Sequence, residues 1–396
     1  MNLADRRPGN IGLQPKEERN QEAGCVFGGE QISRRRKDER HPKQHRQPVF
    51  KHIGEAQAES VICGGRLTNP ASRVNLAAGM RPEFPPPLVF EPLFMERMWG
   101  GRRLESVLGK KLPPGQRIGE SWEIVDRPEA QSVVRQGPWR GRTLHELWRD
   151  HRDEIFGAEM PDAPRFPIFA KLLDAEEKLS LQVHPGAAVA GALGGEPKTE
   201  MWYFAAADAG AEIYAGLRRG VERNRFERAL RDGAAAELVH RIAVKTGDAF
   251  FVPSGRLHAI GAGNLLIEIQ QNSDTTFRLF DWNRGERAAA QRPLQIEKAL
   301  QSIDFHDFEP ELIRPTGERL VQCPHFEVEK WELDRARRAS GRNAFALFVC
   351  LSGALEANAV RIAPGEFFLV PASAAATELQ SAAPATSVLR ITLPVR

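Results

Sequence analysis

The chain reads Gly247-Asp248-Ala249-Phe250-Phe251-Val252-Pro253 at the point that decides its fold, where a glycine-acidic turn leads into a short apolar strand that ends at proline. The pattern returns as Gly365-Glu366-Phe367-Phe368-Leu369-Val370-Pro371. Such a repeat predicts duplicated β-barrels. Residues 265–270 and 345–351 are further short apolar segments between turns, so we predict a mainly β fold, a sandwich or barrel with few helices.

Two helices are predicted between the strands. Thr143 and Glu146 are placed to form a capping box, which marks a helix start. The apolar residues that follow at helical spacing are Leu144, Leu147, Trp148 and Ile155, and Gly157 is expected to end this helix. A second helix is predicted within 221–238, where the apolar stripe consists of Phe226, Leu230 and Leu238.

The charge of the chain is unevenly distributed. Residues 1–79 carry 14 Lys and Arg against 9 Asp and Glu, whereas the remaining residues carry 41 against 43. The basic first segment lacks hydrophobic periodicity and is predicted to be a disordered tail, with a nucleic-acid arm or a targeting sequence as alternatives. Because Met80 directly precedes the first apolar segment, a start codon assigned in error is a further interpretation of 1–79. The balanced remainder argues against nucleic acid as a partner.

The sequence also limits compartment and membrane contact. It has no stretch of about 18 apolar residues and no charged start followed by an apolar run. The cysteines form no C-x-x-C pair, which argues against a disulfide framework or a thiolate zinc site; they are Cys25, Cys63, Cys323 and Cys350. We therefore expect a cytoplasmic protein, a monomer or weak dimer, that acts on a small molecule and has no membrane partner.

The segment Lys178-Leu179-Ser180-Leu181-Gln182-Val183-His184-Pro185 alternates polar and apolar residues as a β-strand does. Its apolar side chains are predicted to face a core, which places the polar ones together on the other face. Gln182 and His184 can there supply two ligands to one metal, and a solvated outer face is the alternative.

Two more candidate ligands follow in the chain. Glu200 lies in Lys198-Thr199-Glu200-Met201-Trp202-Tyr203, and His258 lies in Gly255-Arg256-Leu257-His258-Ala259-Ile260-Gly261. Taken singly, Glu200 would be an ordinary surface carboxylate and His258 a hydrogen-bonded structural histidine. Together with the Gln-x-His pair they form a usual ligand set for a divalent metal. Two histidines and one carboxylate also describe the iron facial triad, so ligand type leaves zinc and iron open.

A polar run follows the apolar segment that begins at Leu265. It reads Glu268-Ile269-Gln270-Gln271-Asn272-Ser273-Asp274-Thr275-Thr276-Phe277-Arg278. Arg278 offers a planar fork suited to a phosphate or to an enediolate oxygen, and a surface or ion-paired arginine is the alternative.

These segments resemble the type I phosphomannose isomerases in their short bacterial form. Further matching pieces are Phe94-Met95-Glu96-Arg97-Met98-Trp99-Gly100-Gly101, Gly119-Glu120-Ser121-Trp122-Glu123 and Phe166-Pro167-Ile168-Phe169-Ala170-Lys171-Leu172-Leu173-Asp174-Ala175. The resemblance is strong over 88–284 and weak in the C-terminal part, and it leaves out 1–79. One departure follows Pro185, where the family usually has an acidic residue and then Tyr-Ala, and this chain has Gly186-Ala187-Ala188-Val189-Ala190. The departure changes none of the predicted ligands, and it affects the expected rim of the metal-binding cavity.

The resemblance implies a fold of two cupin-type jelly-roll β-barrels with a few helices. A metal-binding catalytic domain is expected at 80–315 and a degenerate cupin domain at 316–396. His258 stands eleven residues after Gly247, whereas Ala376 stands eleven residues after Gly365, so no metal is expected in the second domain. The resemblance also implies one Zn²⁺ per chain, with the ligands Gln182, His184, Glu200 and His258.

The implied reaction interconverts mannose-6-phosphate and fructose-6-phosphate through an enediol, which requires a proton-transferring group and a stabiliser of oxyanion charge. Arg278 is predicted to stabilise the enediolate and Glu268 to shuttle the proton. Lys198 is the competing base if burial lowers its pKa. The predicted substrate-binding residues are Ser180, Lys198 and Arg278, and Lys198 and Arg278 are the candidates for binding the phosphate end. A non-catalytic phosphosugar-binding cupin and an iron-dependent cupin dioxygenase are the alternatives.

Overall fold

The computed structural model describes residues 85–282, 284, 293–341, 343–374 and 376–394. The tail predicted at 1–79 lies outside the described residues. Within these ranges no helix is both long and apolar enough to cross a membrane.

Two sheets face each other in the first half of the described chain. The strands up to this point are β1 (Leu88–Val89), β2 (Leu93–Gly101), β3 (Ile118–Ile124), β4 (Asp126–Arg127), β5 (Ala130–Gln131), β6 (Ile168–Ala175), β7 (Leu181–Val183), β8 (Glu200–Ala207), β9 (Glu212–Leu217), β10 (Val239–Ala243), β11 (Ala249–Val252), β12 (His258–Ile260), β13 (Asn264–Gln271) and β14 (Phe277–Phe280). One sheet has the order β11-β8-β13-β6-β3-β2, and the other has the order β10-β9-β12-β7-β14. Strands β4 and β5 form a separate hairpin.

A second pair of sheets is built from the later strands. They are β15 (Arg319–Gln322), β16 (Glu327–Glu332), β17 (Arg337–Arg338), β18 (Ala346–Ser352), β19 (Leu355–Ala357), β20 (Val360–Ile362), β21 (Phe367–Val370), β22 (Glu378–Ser381) and β23 (Ser387–Thr392). The orders are β1-β21-β18-β23-β16-β15 and β17-β22-β19-β20. The early strand β1 joins this sheet because Leu88 pairs with Leu369.

The helices are short and connect the strands. They are α1 (Arg103–Ser106), α2 (Leu144–Asp150), α3 (Arg152–Ile155), α4 (Ala187–Ala190), α5 (Arg223–Arg231) and α6 (Ile296–Ser302), with 3₁₀ turns at Ala235–Leu238 and Ala372–Ala374. The capping box is confirmed, because Glu146 N donates to Thr143 Oγ1 at 3.1 Å and Thr143 N donates to Glu146 Oε2 at 2.8 Å.

Both predicted helices are interrupted. The helix expected to run to Gly157 breaks at His151, whose φ of −132° is not helical. The break lets Trp148 of α2 and Ile155 of α3 bury their side chains in the same core. The helix predicted within 221–238 ends at Arg231 and is followed by Gly233 with a φ of +73° and by a 3₁₀ turn. Positive φ suits glycine and stops an α-helix.

Apolar residues fill three layers between the sheets. Trp202 and Phe250 lie inside the first sandwich, and Phe348 and Phe368 lie inside the second. The two six-stranded sheets share a further core between them, which includes residues of β6, β8 and β13 on one side and of β18, β21 and β23 on the other. The mainly β prediction is confirmed by this arrangement.

The predicted repeat occupies equivalent places in the two six-stranded sheets. Gly247 and Gly365 have φ of +91° and +75° and precede β11 and β21. Strand β11 pairs with β8 as β21 pairs with β18. His258 begins β12, whereas Ala376 lies in a turn before β22.

Candidate metal centre

Three predicted site residues lie side by side on the five-stranded sheet. Gln182 of β7 pairs with His258 of β12 on one side and with Arg278 of β14 on the other. Directly opposed residues in antiparallel strands point to the same face. Ser180 and His184, of the same polar row, are buried. Ser180, Gln182 and His184 therefore face the interior of the sandwich, and the alternative of a solvated outer face is wrong for them. Lys178 is half-buried, and Leu179 packs in the interior core with Trp202 and not with Leu181 and Val183 as predicted, because the strand begins only at Leu181.

Glu200 approaches this row from the opposite sheet. It begins β8, where it lies between Val252 and Gln270. Its Oε2 is 3.3 Å from His184 Nε2, and its Oε1 is 3.7 Å from His258 Nε2. One ligand atom from each of these three buried residues lies within 4.8 Å of the other two. Three candidates that are scattered in the sequence thus converge on one point.

Backbone carbonyls orient both imidazoles. His184 Nδ1 lies 2.8 Å from Thr275 O, and His258 Nδ1 lies 2.8 Å from Arg256 O. A carbonyl can only accept, so each Nδ1 carries the proton and each Nε2 presents a lone pair. Metal-binding histidines usually have such a partner on their second nitrogen, because it fixes the tautomer and the ring orientation.

The buried donor atoms fit a divalent metal. Among the described residues, His184 Nε2 and Glu200 Oε1 have no hydrogen-bond partner although both are buried. Leaving such an atom unsatisfied costs about 1–3 kcal/mol. A cation bound by the two Nε2 atoms and the carboxylate would remove that cost, and nitrogen and oxygen donors of this kind suit zinc or iron.

Gln182 would complete the predicted ligand set if its side-chain amide rotated by half a turn. Its Nε2 lies 3.3 Å from His258 Nε2, and its Oε1 lies 3.5 Å from Ser180 Oγ. The two ends of an amide have nearly the same shape, and a half turn of the last torsion exchanges them. That turn would present the oxygen, the ligating end of the amide, beside His258.

Burial keeps both histidines neutral. Burial lowers the pKa of His184 to about 3; Lys198 adds to this effect, and Glu200 opposes it. Burial also lowers the pKa of His258, against the opposing charge of Glu200. Metal ligation requires the neutral imidazole, so no proton has to be displaced near neutral pH.

Buried charges of alternating sign extend from the candidate ligand Glu200 through Lys198 and Glu268 to Lys171. Lys198 Nζ lies 2.8 Å from Glu200 Oε2 and 3.6 Å from Glu268 Oε1. Lys171 Nζ lies 3.5 Å from the same Glu268 oxygen and 3.8 Å from Asp274 Oδ1. Register explains part of this row, because Glu268 pairs with Lys171 across β13 and β6. Each buried carboxylate therefore faces a cation, as low-dielectric surroundings require.

These contacts set the protonation of Lys198 and Glu268. Burial alone would lower the pKa of Lys198, but the carboxylates of Glu200 and Glu268 raise it above its ordinary value. The lowered pKa on which a role of Lys198 as a base would depend is therefore not found. Burial raises the pKa of Glu268, and the charge of Glu200 raises it further. Trp202 Nε1 donates to Glu268 Oε2 at 3.1 Å.

A cavity of about 350 Å³ lies beside the buried charges of Lys198, Glu268 and Lys171. The predicted site residues in its wall are Gln182, Lys198, Glu268 and Arg278. Arg278 Nε is buried and lacks a hydrogen-bond partner in the described part of the chain. Charged residues that the sequence analysis gave no role also line the cavity, namely Glu96, Arg97, Glu120, Lys171 and Asp274. Lys171 was detectable, because it is a cation inside an otherwise apolar run.

Comparisons with known proteins identify the family of this chain. The family model described as phosphomannose isomerase type I, catalytic domain, matches residues 88–216. The chain is 40% identical over 271 residues to the probable mannose-6-phosphate isomerase GmuF of Bacillus subtilis (strain 168), covering 65% of this chain and 82% of that protein. It is 36% identical over 278 residues to the mannose-6-phosphate isomerase of Streptococcus mutans, covering 66% of this chain and 85% of that protein. The chain belongs to the type I phosphomannose isomerase family.

Solved structures support the same family. The crystal structure of mannose 6-phosphate isomerase from Bacillus subtilis has a TM-score of 0.69 at 30% identity, covering 78% of this chain and 100% of that one. An apo form from Salmonella typhimurium, at 16% identity, has a TM-score of 0.59 over 78% of this chain and 99% of that one and shares the fold. The predicted family and cupin-type fold are confirmed. The family-model match ends at residue 216, so His258, Glu268 and Arg278 join the site through the geometry described above.

Proposed function

We propose that this chain is a zinc-dependent mannose-6-phosphate isomerase. The observation that carries the proposal is the convergence of His184, Glu200 and His258 beside a charged cavity, in a chain of the type I phosphomannose isomerase family. Gln182 is the proposed fourth ligand, through its amide oxygen. One ion is bound per chain.

Zinc suits the reaction as well as the donors. Bound at this site, it supplies Lewis-acid polarisation of a sugar oxygen. Aldose–ketose exchange moves hydrogen within one molecule and consumes no oxidant, so the metal needs no change of redox state. The neutral imidazoles and the carboxylate match the ligands of catalytic zinc.

Glu268 is the proposed proton-transferring group. Its carboxylate takes the proton from C2 of the open-chain aldose, and the electrons of that C–H bond form the C1–C2 double bond of the enediol. The π electrons of the C1 carbonyl move to O1 as the double bond forms. Returning the proton to C1, with the hydroxyl proton of O2 passing to O1, then gives the ketose, so no atom is gained or lost. The raised pKa of Glu268 brings it closer to the neutral pH at which a base works best.

The neighbouring cations and Ser180 position the reacting groups. Lys198 lies 3.6 Å from Glu268 and 2.8 Å from Glu200, so it holds the proposed base at a fixed place relative to the ligands. Arg278 flanks Gln182 on the next strand and donates to the enediolate oxygen. Ser180, two residues before Gln182 on the same face, is proposed to contact the substrate.

A coupled assay for fructose-6-phosphate formation tests the proposal. Purified protein should convert mannose-6-phosphate, lose activity with a chelator and regain it with Zn²⁺. Oxygen uptake that requires ferrous iron, without fructose-6-phosphate, would identify a dioxygenase. Binding of mannose-6-phosphate without turnover in zinc-loaded protein would identify a sensor, and either result would overturn the proposed function.

A further inference from the structure

We propose that Arg97 binds the phosphate group of the sugar substrate at the mouth of the cavity, and that Glu120 is the positioning residue that holds Arg97 there. This inference rests on the proposed function. It names the side chain that would distinguish a phosphosugar from the free sugar.

The cavity wall includes residues of two edge strands. Strand β2 is the last strand of its six-stranded sheet, and β14 is the last strand of the facing five-stranded sheet. Arg97 on β2 and Arg278 on β14 both line the cavity. The side chain of Arg97 is 35% exposed, against 5% for Lys198 and for Lys171. Arg97 is thus the cavity cation most open to solvent among these three.

The length of the substrate separates its two ends. The hydrogen shift occurs at C1 and C2, and the phosphate is attached to C6, at the other end of the carbon chain. When C1 and C2 lie beside the metal ligands, the phosphate points away from them towards solvent. Lys198 contacts the ligand Glu200 and Arg278 flanks the ligand Gln182, so both belong to the reacting end.

The two cavity lysines are already neutralised. Lys198 faces the carboxylates of Glu200 and Glu268, and Lys171 faces those of Glu268 and Asp274. Both are buried, and moving Lys198 would leave the buried carboxylate of Glu200 without its cation, at a cost of several kcal/mol. Moving Lys171 would take one of two cations away from the buried carboxylate of Glu268.

Arg97 retains donors for an anion. Its Nε donates to Glu120 Oε1 at 3.0 Å and one terminal nitrogen donates to Glu120 Oε2 at 3.2 Å, which is a paired, side-on contact. The other terminal nitrogen donates to Glu96 O at 3.3 Å. A guanidinium has five N–H donors, so one on each terminal nitrogen remains after these bonds. Two such donors match two phosphate oxygens.

Glu120 is held firmly enough to orient the guanidinium. Besides Arg97 it accepts a hydrogen bond from Trp122 Nε1 at 2.7 Å. Burial would raise its pKa, but the charges of Lys171 and Arg97 and these hydrogen bonds lower it to about 2. The carboxylate is therefore ionised and fixed. A preorganised arginine loses less side-chain freedom when it binds an anion.

Steady-state kinetics with mannose-6-phosphate test the assignment. Arg97→Ala should raise KM by about 10–100-fold, the loss expected for hydrogen bonds to a charged group, with kcat little changed. Arg97→Lys should recover only part, because a point charge cannot copy the fork. Glu120→Gln should also raise KM and leave kcat, which a general loss of folding would not do. Arg117→Ala is the matched control, since Arg117 bonds Gly100 O and Glu177 and does not line the cavity.

Binding of inorganic phosphate gives a readout independent of turnover. In calorimetric titrations of zinc-loaded protein, Arg97→Ala should weaken phosphate binding by about 10–100-fold, and Arg117→Ala should leave it unchanged. If wild type binds phosphate through Arg97 but does not isomerise the sugar, the proposed function fails and the anion site stands. Unchanged KM and unchanged phosphate affinity in Arg97→Ala would overturn the inference, as would a fall in kcat at constant KM. Should Arg97→Ala not fold, Arg97→Gln, which keeps the stem and a donor to Glu120, is measured in the same way.

Discussion

Gln182 and His258 occupy directly opposed positions on β7 and β12, and Gln182 Nε2 lies 3.3 Å from His258 Nε2. The two residues are far apart in the chain, and only strand register brings them together. A slip of one residue would turn one of the two side chains to the opposite face of the sheet. The placing of Gln182 beside His258 therefore depends on this ladder. The apolar side chains on the other face of β7 pack in one core with Phe226 of α5 and Ala299 of α6.

Removing His258 should empty the metal centre. His258→Ala deletes one of the two imidazoles, and we expect metal content measured by atomic emission to fall from one ion per chain to near zero. Activity should fall with it. Wild type should hold one ion and no more, because Ala376 stands where the repeat would place a second histidine. A second stoichiometric ion, or full metal content in His258→Ala, would contradict the assignment.

The buried pair of Lys110 and Glu123 should be important for stability. Their side chains are 9% and 4% exposed, and Lys110 Nζ lies 2.7 Å from Glu123 Oε1. Lys110→Met leaves the carboxylate buried without its cation, which should lower the free energy of unfolding by about 3–5 kcal/mol. Urea unfolding measures this loss. The double variant Lys110→Met/Glu123→Gln should recover much of it, and equal losses in both variants would show that packing, not charge, is responsible.

Acid should weaken the contribution of Glu120 to stability. The pKa of Glu120 is lowered from 4.5 to about 2, so its stabilising effect is complete above the unfolded value and is lost as the pH falls towards 2. A shift of that size corresponds to about 3 kcal/mol. We expect the difference in unfolding free energy between wild type and Glu120→Gln to be largest near pH 6 and to shrink steadily on acidification. A difference that does not depend on pH would contradict this origin.

The sequence predicted the strands well because their signals are local. The turn glycines Gly247 and Gly365 and the apolar runs after them identify β11 and β21 without any tertiary information. The single helix predicted to end at Gly157 is wrong, because the break at His151 is set by tertiary packing and not by a local signal. Periodicity shows which residues are apolar, but only the shared core shows that Trp148 and Ile155 must reach it from two separate helices.

The candidate ligands could be named from the sequence, whereas their surroundings could not. Gln182, His184, Glu200 and His258 were named from the Gln-x-His alternation and the family resemblance, and their role as metal ligands stays a prediction. The buried charges of alternating sign around the candidate ligands depend on cross-strand neighbours such as Glu268 and Lys171. No spacing in the sequence reveals that these two residues are paired. The raised pKa of Lys198 follows from two carboxylates on neighbouring strands, and burial alone had suggested the opposite direction.

A comparison of Arg278→Ala with Arg97→Ala should distinguish the residue proposed to act on the reacting end of the sugar from the one proposed to bind its phosphate. Arg278 pairs with Gln182 across β14 and β7, and its Nε is buried without a hydrogen-bond partner within the described ranges. A guanidinium whose buried Nε has no partner among the described residues, beside the proposed ligand Gln182, is placed to bind charge that develops during the proposed reaction. Arg278→Ala should therefore lower kcat by about 10²–10³, the loss expected for one oxyanion donor, with KM affected much less than in Arg97→Ala.

Measuring the metal content of Arg278→Ala shows whether its loss of kcat comes from the missing guanidinium or from a damaged metal centre. The metal content should stay near one ion per chain in Arg278→Ala, because arginine is not a ligand, and Arg278→Lys should restore only part of the activity. Arg241→Ala is the matched control on the same sheet, since Arg241 pairs with Glu212 and is 62% exposed. Full activity in Arg278→Ala would make Arg278 a structural residue and leave the enediolate to the metal site. A raised KM with unchanged kcat would instead move Arg278 to the phosphate end beside Arg97.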